Sequence, residues 1–322
     1  MPIAPRRTAV LLTLVVALVG VLALTVAAPG AGAAPSYPVV YNITSAAGVL
    51  QDPSAPPPGA NDFSCKPSAA HPDPVVLVHG LTATANENWG TMAPLLADHG
   101  YCVFALTYGL LPGEKYVGGL EPMETSSAEL ATFVDRVLAA TGAHKVDLVG
   151  HSEGTVMPQY YLKFRGGAAK VAKYVAIAPL YRGTSLYGVD AVVNAAETAF
   201  PALADPVSNL IASACGSCQE FLTGSPFLEH LYADGVYAVP GIQYTTIMTK
   251  NDELVRPYTS GYLHAPNATN IVVQDQCPLD QAEHLSLAFD PTVGQDILNA
   301  LDPAHPAPVP CQLVLPIFGA LG

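Results

Sequence analysis

Basic residues are what this chain has least of: its 322 residues include 13 Lys and Arg against 26 Asp and Glu, a net charge of −13. A surface of that balance repels phosphate backbones and anionic bilayers, which argues against nucleic acid or an acidic membrane as partner. Uncharged lipid interfaces remain open. Internal repeats are missing, which excludes a solenoid or propeller array, and no long low-complexity tract interrupts the sequence. Metal-ligand clusters are missing too. Cys215-Gly-Ser-Cys218 would need two further ligands to hold zinc, and His230 alone is a poor one. The same C-x-x-C lies far from any thioredoxin-like pattern, so a local structural disulfide is the better reading. No metal or organic cofactor is expected.

Long apolar runs are confined to one place. Arg6 and Arg7 precede the apolar stretch Thr8–Ala28, Pro29-Gly30 breaks it, and Ala31-Gly32-Ala33 offers a small-residue cleavage site. The run is long enough to raise a membrane anchor as the alternative, but the break and the cleavage pattern favour a signal peptide over residues 1–34. The paired arginines hint at twin-arginine export, although the rest of that signal is weak. The protein is expected outside the cell. Loss of Arg6 and Arg7 takes the net charge from −13 to −15 and leaves about 288 residues, enough for a single domain, 35–322, with a substantial core. Six cysteines in an exported chain suggest three disulfides with fifteen possible pairings. Chain order suggests Cys65 with Cys102, Cys215 with Cys218, and Cys277 with Cys311.

The remaining pattern is an alternation of strand and helix. Pro74–Val78 is a continuous apolar strand ending at His79-Gly80, the kind buried on both faces of a parallel sheet. A helical segment near Trp89–Asp98 and a strand over Tyr101–Tyr108 follow. Ser126-Ser127-Ala128-Glu129 has the form of a capping box, Leu130, Val134, Val137 and Leu138 carry an apolar helical face, and Gly142 stops the helix. Val146–Val149, Val171–Ala178, Gln243–Thr249 and Asn270–Val273 supply four more strands, the last of them before a final helix near Gln295–Leu301. This order demands an α/β fold with a mostly parallel sheet, right-handed crossovers and helices on both faces. Residues 36–74 are expected to form an extended arm held by Cys65. The tail from Pro303 is too short to span a membrane and is expected to pack on the body, tied by Cys311. Between the strands ending at Ala178 and starting at Gln243, residues 181–240 show helical pieces and no strand pattern. An insertion there would lie over the carboxyl ends of the strands, where ligands bind in such folds, and it reads as a cap or lid.

The chemistry centres on Gly150-His151-Ser152-Glu153-Gly154, a G-x-S-x-G pentapeptide with a strand before it and a helix after it. Such a turn is too sharp for side chains on its flanks, hence Gly150 and Gly154. It lifts the Ser152 hydroxyl above the sheet edge and turns the Glu153 backbone N–H toward a developing oxyanion. A serine needs a base, and histidine is the side chain poised for that at neutral pH. His284, after the last core strand, stands where the order Ser, acid, His places it; His264, before that strand, is the alternative. His79 and His151 are better suited to packing and orienting neighbours. Asp252, closing the penultimate strand, is the expected acid, with Glu253 and Asp275 as alternatives. A second oxyanion donor is expected from the loop after His79-Gly80, the backbone N–H of Leu81 or Thr82.

At this point the chain resembles the secreted class 2 triacylglycerol lipases of actinobacteria, members of the α/β-hydrolase superfamily. The resemblance rests on VVLVHG at Val75–Gly80, YCVFALTYG at Tyr101–Gly109, VGHSEG at Val149–Gly154, QYYLKF at Gln159–Phe164, TKNDELVRPY at Thr249–Tyr258, and QDQCPLDQAEHLSLAFD at Gln274–Asp290. It implies Ser152, Asp252 and His284 as nucleophile, acid and base, with Leu81 and Glu153 as oxyanion donors. It also implies hydrolysis of acylglycerol esters by a monomer working at a lipid–water interface; a short-chain carboxylesterase, a polyester hydrolase, an acyltransferase and a non-catalytic binding module are the rival readings. Glu153 and Thr155 depart from the pattern, where Gln and Gly are expected. A carboxylate at 153 beside the triad is expected to raise the pKa of His284 and move the activity optimum alkaline.

Overall fold

The computed structural model describes residues 36–185 and 214–320. Six strands form one sheet in the order β2-β1-β3-β4-β5-β6, every neighbouring pair parallel: β1 Val75–Val78, β2 Val103–Leu106, β3 Val146–His151, β4 Val171–Ile177, β5 Gln243–Met248 and β6 Ala268–Val272. Strand side chains alternate between faces, and here both faces are apolar. Val76, Val78, Leu148 and Tyr174 pack on one side against Leu130, Val134, Val137, Tyr161 and Leu162. Val75, Leu77, Val149, Val175 and Ile247 pack on the other against Met92, Leu96, Val293 and Ile297. The continuous apolar runs therefore feed two cores at once. The helices that cover them are α1 Ala85–Asn88, α2 Met92–Asp98, α3 Met123–Thr141, α4 Met157–Phe164, α5 Pro226–Leu231 and α6 Pro291–Leu301.

Several local expectations change. The helix α3 begins at Met123, so Ser126 and Ser127 lie buried inside its first turns instead of capping it. Pro122 precedes the helix, and the first donor, Met123 N–H, is taken by the Glu220 carboxylate at 2.7 Å. The Thr84-Ala-Asn-Glu87 stretch, which has the same spacing, does cap: Thr84 Oγ1 accepts from the Glu87 N–H at the start of α1. Gly142 ends α3 in the left-handed conformation, φ 80°. The arm is not simply extended, since Ile43–Leu50 forms a 3-10 helix opened by the Asn42 side chain, which accepts from Thr44 N–H. Further along, Asn61 exchanges hydrogen bonds with Val103 and Ala105, so the arm closes the free edge of β2.

Three disulfides pair in chain order, with Cα separations of 5.8 Å for Cys65–Cys102, 5.4 Å for Cys215–Cys218 and 5.0 Å for Cys277–Cys311. The tail packs on the body. It folds into a hairpin, β7 Val314–Leu315 with β8 Gly319–Ala320, that bonds to Gln281 and Tyr41. Of the segment 181–240, residues 186–213 lie outside the described residues; the rest holds α5, the Cys215–Cys218 turn and a bridge between Thr184 and Leu222. No helix among the described residues is long and apolar enough to cross a membrane.

Two buried acids join the start of α6 to the loop that carries His284. Asp290 caps α6, its Oδ1 accepting from Thr292 and Val293 N–H, while Asp280 Oδ1 accepts from Ala282 N–H. The remaining oxygens, Asp280 Oδ2 and Asp290 Oδ2, are buried and have no hydrogen-bond partner among the described residues. Burial first, and then the Asp280 charge, hold the Asp290 pKa well above its ordinary value. A carboxyl that keeps its proton longer folded than unfolded contributes stability that is complete below about pH 4 and is lost as pH rises through the raised pKa. Asparagine at 290 keeps the capping oxygen and has no proton to lose. Asp290→Asn is therefore expected to lose less stability than the wild type as pH rises from 5 to 9, read as a smaller fall in Tm across that range. An equal fall in both proteins would rule out the raised Asp290 pKa.

Candidate active site

Strand β3 is buried along its whole length and delivers its last residue, His151, to the sheet edge. The chain then turns through Ser152 at φ 56°, a left-handed conformation rare for a residue with a side chain, before the 3-10 turn Ser152–Thr155 and α4. A Cβ on Gly150 would stand 1.9 Å from the Gly154 carbonyl oxygen, and one on Gly154 would stand 2.2 Å from that of Val78. Both glycines are thus steric requirements of the turn, as the pentapeptide suggests. Gly80 belongs to the same set, because its missing Cβ would lie 3.0 Å from that of Ser152.

Residues 132 positions apart meet at this turn. His284 Nε2 lies 2.8 Å from Ser152 Oγ, and His284 Nδ1 lies 3.0 Å from both oxygens of Asp252. Asp252 is buried at the end of β5, and its Oδ1 also accepts from Leu254 and Val255 N–H at 3.0 and 2.6 Å. The carboxylate is therefore held by the backbone that follows it. The alternatives lie elsewhere. Asp275 is exposed and paired with Lys250, Glu253 accepts the backbone N–H of His284 and not its ring, and His264 stacks on Tyr262 beside a separate cleft.

The other two histidines brace the site. Burial pushes the His151 pKa down to about 3, and the ring sits between Asn88 Oδ1 and the His284 carbonyl, each at 3.0 Å. His79 is likewise buried, with its pKa lowered to about 4. Its Nε2 accepts from Tyr108 N–H, so Nδ1 carries the proton and donates to the Gly80 carbonyl. Asn88 holds the loop after β1 as well, taking the Gly80 N–H on Oδ1 at 3.0 Å. Sequence reasoning missed Asn88, and its only signal is a place eight residues beyond Gly80.

The oxyanion donors can be separated by their hydrogen bonds. Thr82 N–H is committed to the Gly118 carbonyl at 2.9 Å. Leu81 N–H has no acceptor among the described residues, and Glu153 N–H lies in the first turn of a helix, where none exists within the helix. Leu81 is therefore the better of the two loop candidates. Both N–H groups belong to residues lining a cavity of about 230 Å³ that holds Ser152 and His284 and has apolar walls of Leu180, Phe221, Leu254 and Val255. A larger cleft of about 440 Å³ has Arg182 and the alternative base His264 in its wall but contains none of Ser152, Asp252, His284, Leu81 and Glu153. No cluster of metal-binding side chains occurs among the described residues.

Glu153 corrects one expectation. Its carboxyl turns into the interior, between the Tyr108 hydroxyl at 3.2 Å and the Ser217 hydroxyl at 3.1 Å. Burial, ahead of any charged neighbour, raises its pKa well above the ordinary value. Each hydroxyl is shared: Ser217 Oγ donates toward Glu153 Oε2 and the Gly119 carbonyl at 2.6 Å, and Tyr108 O–H toward Glu153 Oε1 and the His79 carbonyl at 2.9 Å. A carboxyl whose pKa is raised by burial carries less charge at a given pH, which weakens the cause of the expected alkaline optimum. Glutamine would reproduce both contacts. Glu153→Gln is expected to leave the pH–rate profile superimposable on the wild type within about twofold, and a shifted profile would restore the charged carboxylate.

A parallel sheet with the candidate nucleophile on the turn after β3, and acid and base on the loops beyond β5 and β6, is an α/β-hydrolase fold. The class 2 lipase family is matched over residues 72–295, and the chain belongs to that family. Triacylglycerol lipases of Pseudarthrobacter phenanthrenivorans and Burkholderia plantarii are each 36% identical to it over 92 residues. Those stretches are 27% of this chain, and 27% and 24% of the two relatives, so the similarity spans about a quarter of each. In three dimensions the chain is similar to Aspergillus fumigatus lipase B, with a TM-score of 0.59 and 19% identity, covering 79% of this chain and 57% of that one. That likeness concerns the fold.

Proposed function

We propose that the protein is a secreted serine lipase that hydrolyses carboxylic esters of acylglycerols, with residues 1–34 as signal peptide and 181–240 as a cap over the site. Ser152 Oγ attacks the ester carbonyl while His284 Nε2 takes its proton. Asp252 holds Nδ1 and stabilises the imidazolium. Backbone N–H groups of Leu81 and Glu153 receive the oxyanion. Collapse of the tetrahedral intermediate expels the alcohol, protonated by His284, and water then hydrolyses the acyl-enzyme by the same steps. The observation that carries this reading is the in-line contact Ser152–His284–Asp252 beneath two unspent backbone donors, in a cavity with apolar walls. The three disulfides and the shortage of cations fit an extracellular, monomeric enzyme that meets no nucleic acid.

The size of the cavity favours one second reading. About 230 Å³ is below the usual range of ligand sites, roughly 300–1,000 Å³, and suits a short acyl chain. That would make the protein a carboxylesterase of short-chain esters. Purified protein lacking residues 1–34, assayed in parallel on p-nitrophenyl butyrate and emulsified triolein, separates the two. Turnover of both supports the lipase, and turnover of the butyrate alone supports the esterase. Turnover of neither refutes ester hydrolysis.

A further inference from the structure

The terminal hairpin is stapled to the loop that carries His284, and the staple gathers apolar side chains on the surface. Glu283 is buried beside His284 and its carboxylate accepts three backbone N–H groups: Leu285 at 2.6 Å, Ser286 at 3.2 Å and Ile317 at 2.8 Å. The next residue, Phe318, takes the Ile43 N–H on its carbonyl at 3.2 Å. Leu285 and Leu254 line the mouth of the cavity that holds Ser152. Backbone bonds thus tie together the segments that carry a strip of exposed apolar side chains from the mouth across the hairpin turn to the arm: Leu254, Leu285, Ile317, Phe318 and Ile43. Its large side chains stand in solvent, Leu285 50%, Ile317 55% and Phe318 64% exposed.

The turn itself is costly in an informative way. Ile317 adopts φ 67°, a left-handed conformation strained for a β-branched residue and free for glycine or asparagine. Turn geometry alone would favour one of those. An exposed isoleucine held there, followed by an exposed phenylalanine, is strain without a return inside the fold. Charge narrows the partner. Residues 41–50, 284–289 and 311–320 contain no Lys, Arg, Asp or Glu, whereas Leu254 is flanked by Glu253 and Arg256, so the hairpin and arm offer nothing to anionic headgroups.

We propose that this strip, built from the hairpin and the arm, docks the protein on an uncharged ester–water surface with the cavity mouth opening into it. The inference rests on the functional reading above. Contiguous apolar surface on a soluble domain marks an interaction site, and this surface is continuous with the opening an ester must enter. Burial of Ile317 and Phe318 in the droplet supplies the attraction, and the Glu283 staple keeps the His284 loop in register with the docked hairpin.

Ile317→Gly relieves the backbone strain while removing the apolar side chain, so loss of fold is not its expected effect; Phe318→Ser is the second variant. Both are compared with the wild type on dissolved p-nitrophenyl butyrate, on tributyrin emulsified above its solubility, and by depletion onto uncharged tributyrin droplets. The double variant is expected to keep soluble turnover within about twofold. It should lose about tenfold or more in adsorption and emulsion rate, the equivalent of leaving one large apolar side chain unburied. Phe164→Ser, an exposed aromatic at the far end of α4, should change none of the three. Unchanged droplet adsorption in the double variant overturns the proposal. So does a concentration-dependent dimer in sedimentation that the variant abolishes, because the strip would then face a second copy. Failure of the functional reading is distinct, appearing as no soluble turnover by the wild type, while adsorption still reports on the surface.

Discussion

Ser152→Ala is expected to reduce hydrolysis of p-nitrophenyl butyrate by about 10³-fold at least, and by as much as about 10⁶-fold. Without Oγ there is no acyl-enzyme, and water must attack directly from a site built for a bound hydroxyl. The residue that remains comes from the two backbone donors and from holding the ester in the cavity. The fold should survive. Alanine has the same Cβ as serine, so it meets Gly80 no more closely and inherits the same left-handed backbone at 152. Only the bond to His284 Nε2 is lost. Circular dichroism and Tm close to the wild type, together with absent burst-phase acylation, are the expected pair of results. Turnover within tenfold of the wild type would place the nucleophile elsewhere.

Asp252→Asn comes next in size, with an expected fall in kcat of about 10⁴-fold, the loss known for this change in a Ser-His-Asp enzyme, and little change in KM. The geometry explains why so small a substitution costs so much. Oδ1 of Asp252 is fixed by two backbone donors, Leu254 and Val255 N–H. An asparagine must keep its oxygen there, which puts its NH₂ at the position of Oδ2, 3.0 Å from His284 Nδ1. Nδ1 is then forced to accept, and the proton moves to Nε2. A histidine protonated at Nε2 donates to Ser152 and cannot take its proton. Because Asp252 lies behind the histidine, away from the cavity wall, binding is spared. Glu253→Gln, which alters only a contact to the His284 backbone, should fall far short of that loss. A loss in Glu253→Gln equal to that in Asp252→Asn would transfer the role of the acid.

Local chemistry made much of this protein legible from its amino acids. Runs such as Val75–Val78 are apolar at every position, and only a sheet covered on both faces can bury them, so the parallel α/β architecture follows. The glycines at 150 and 154 announce a turn that excludes Cβ atoms, and the positions of Asp252 and His284 follow from the strands they end or succeed. The cysteines pair in chain order because each pair is close along the chain. Legibility failed where a short pattern had two homes. Ser126-Ser127-Ala128-Glu129 and Thr84-Ala-Asn-Glu87 share the capping spacing, and what decides is Pro122, which opens α3 four residues before the first of them, a fact of register that the tetrapeptides do not contain.

What the sequence determined by itself, then, was the class of fold and the types of residue at each strand end, since those depend on neighbours within a few positions. Only the tertiary structure decided what depends on distant partners. Thr82 is withdrawn as an oxyanion donor by Gly118, 36 residues on. The pKa of Glu153 is raised by burial against Tyr108 and Ser217. The terminal hairpin is tied to the loop that carries His284 through Glu283 and the Ile317 N–H. Each of these turns on whether a polar group meets water, a donor or another carboxyl. The chain carries that answer only through its fold, because desolvation and hydrogen bonding are set by what surrounds a group in space and not by what flanks it in sequence.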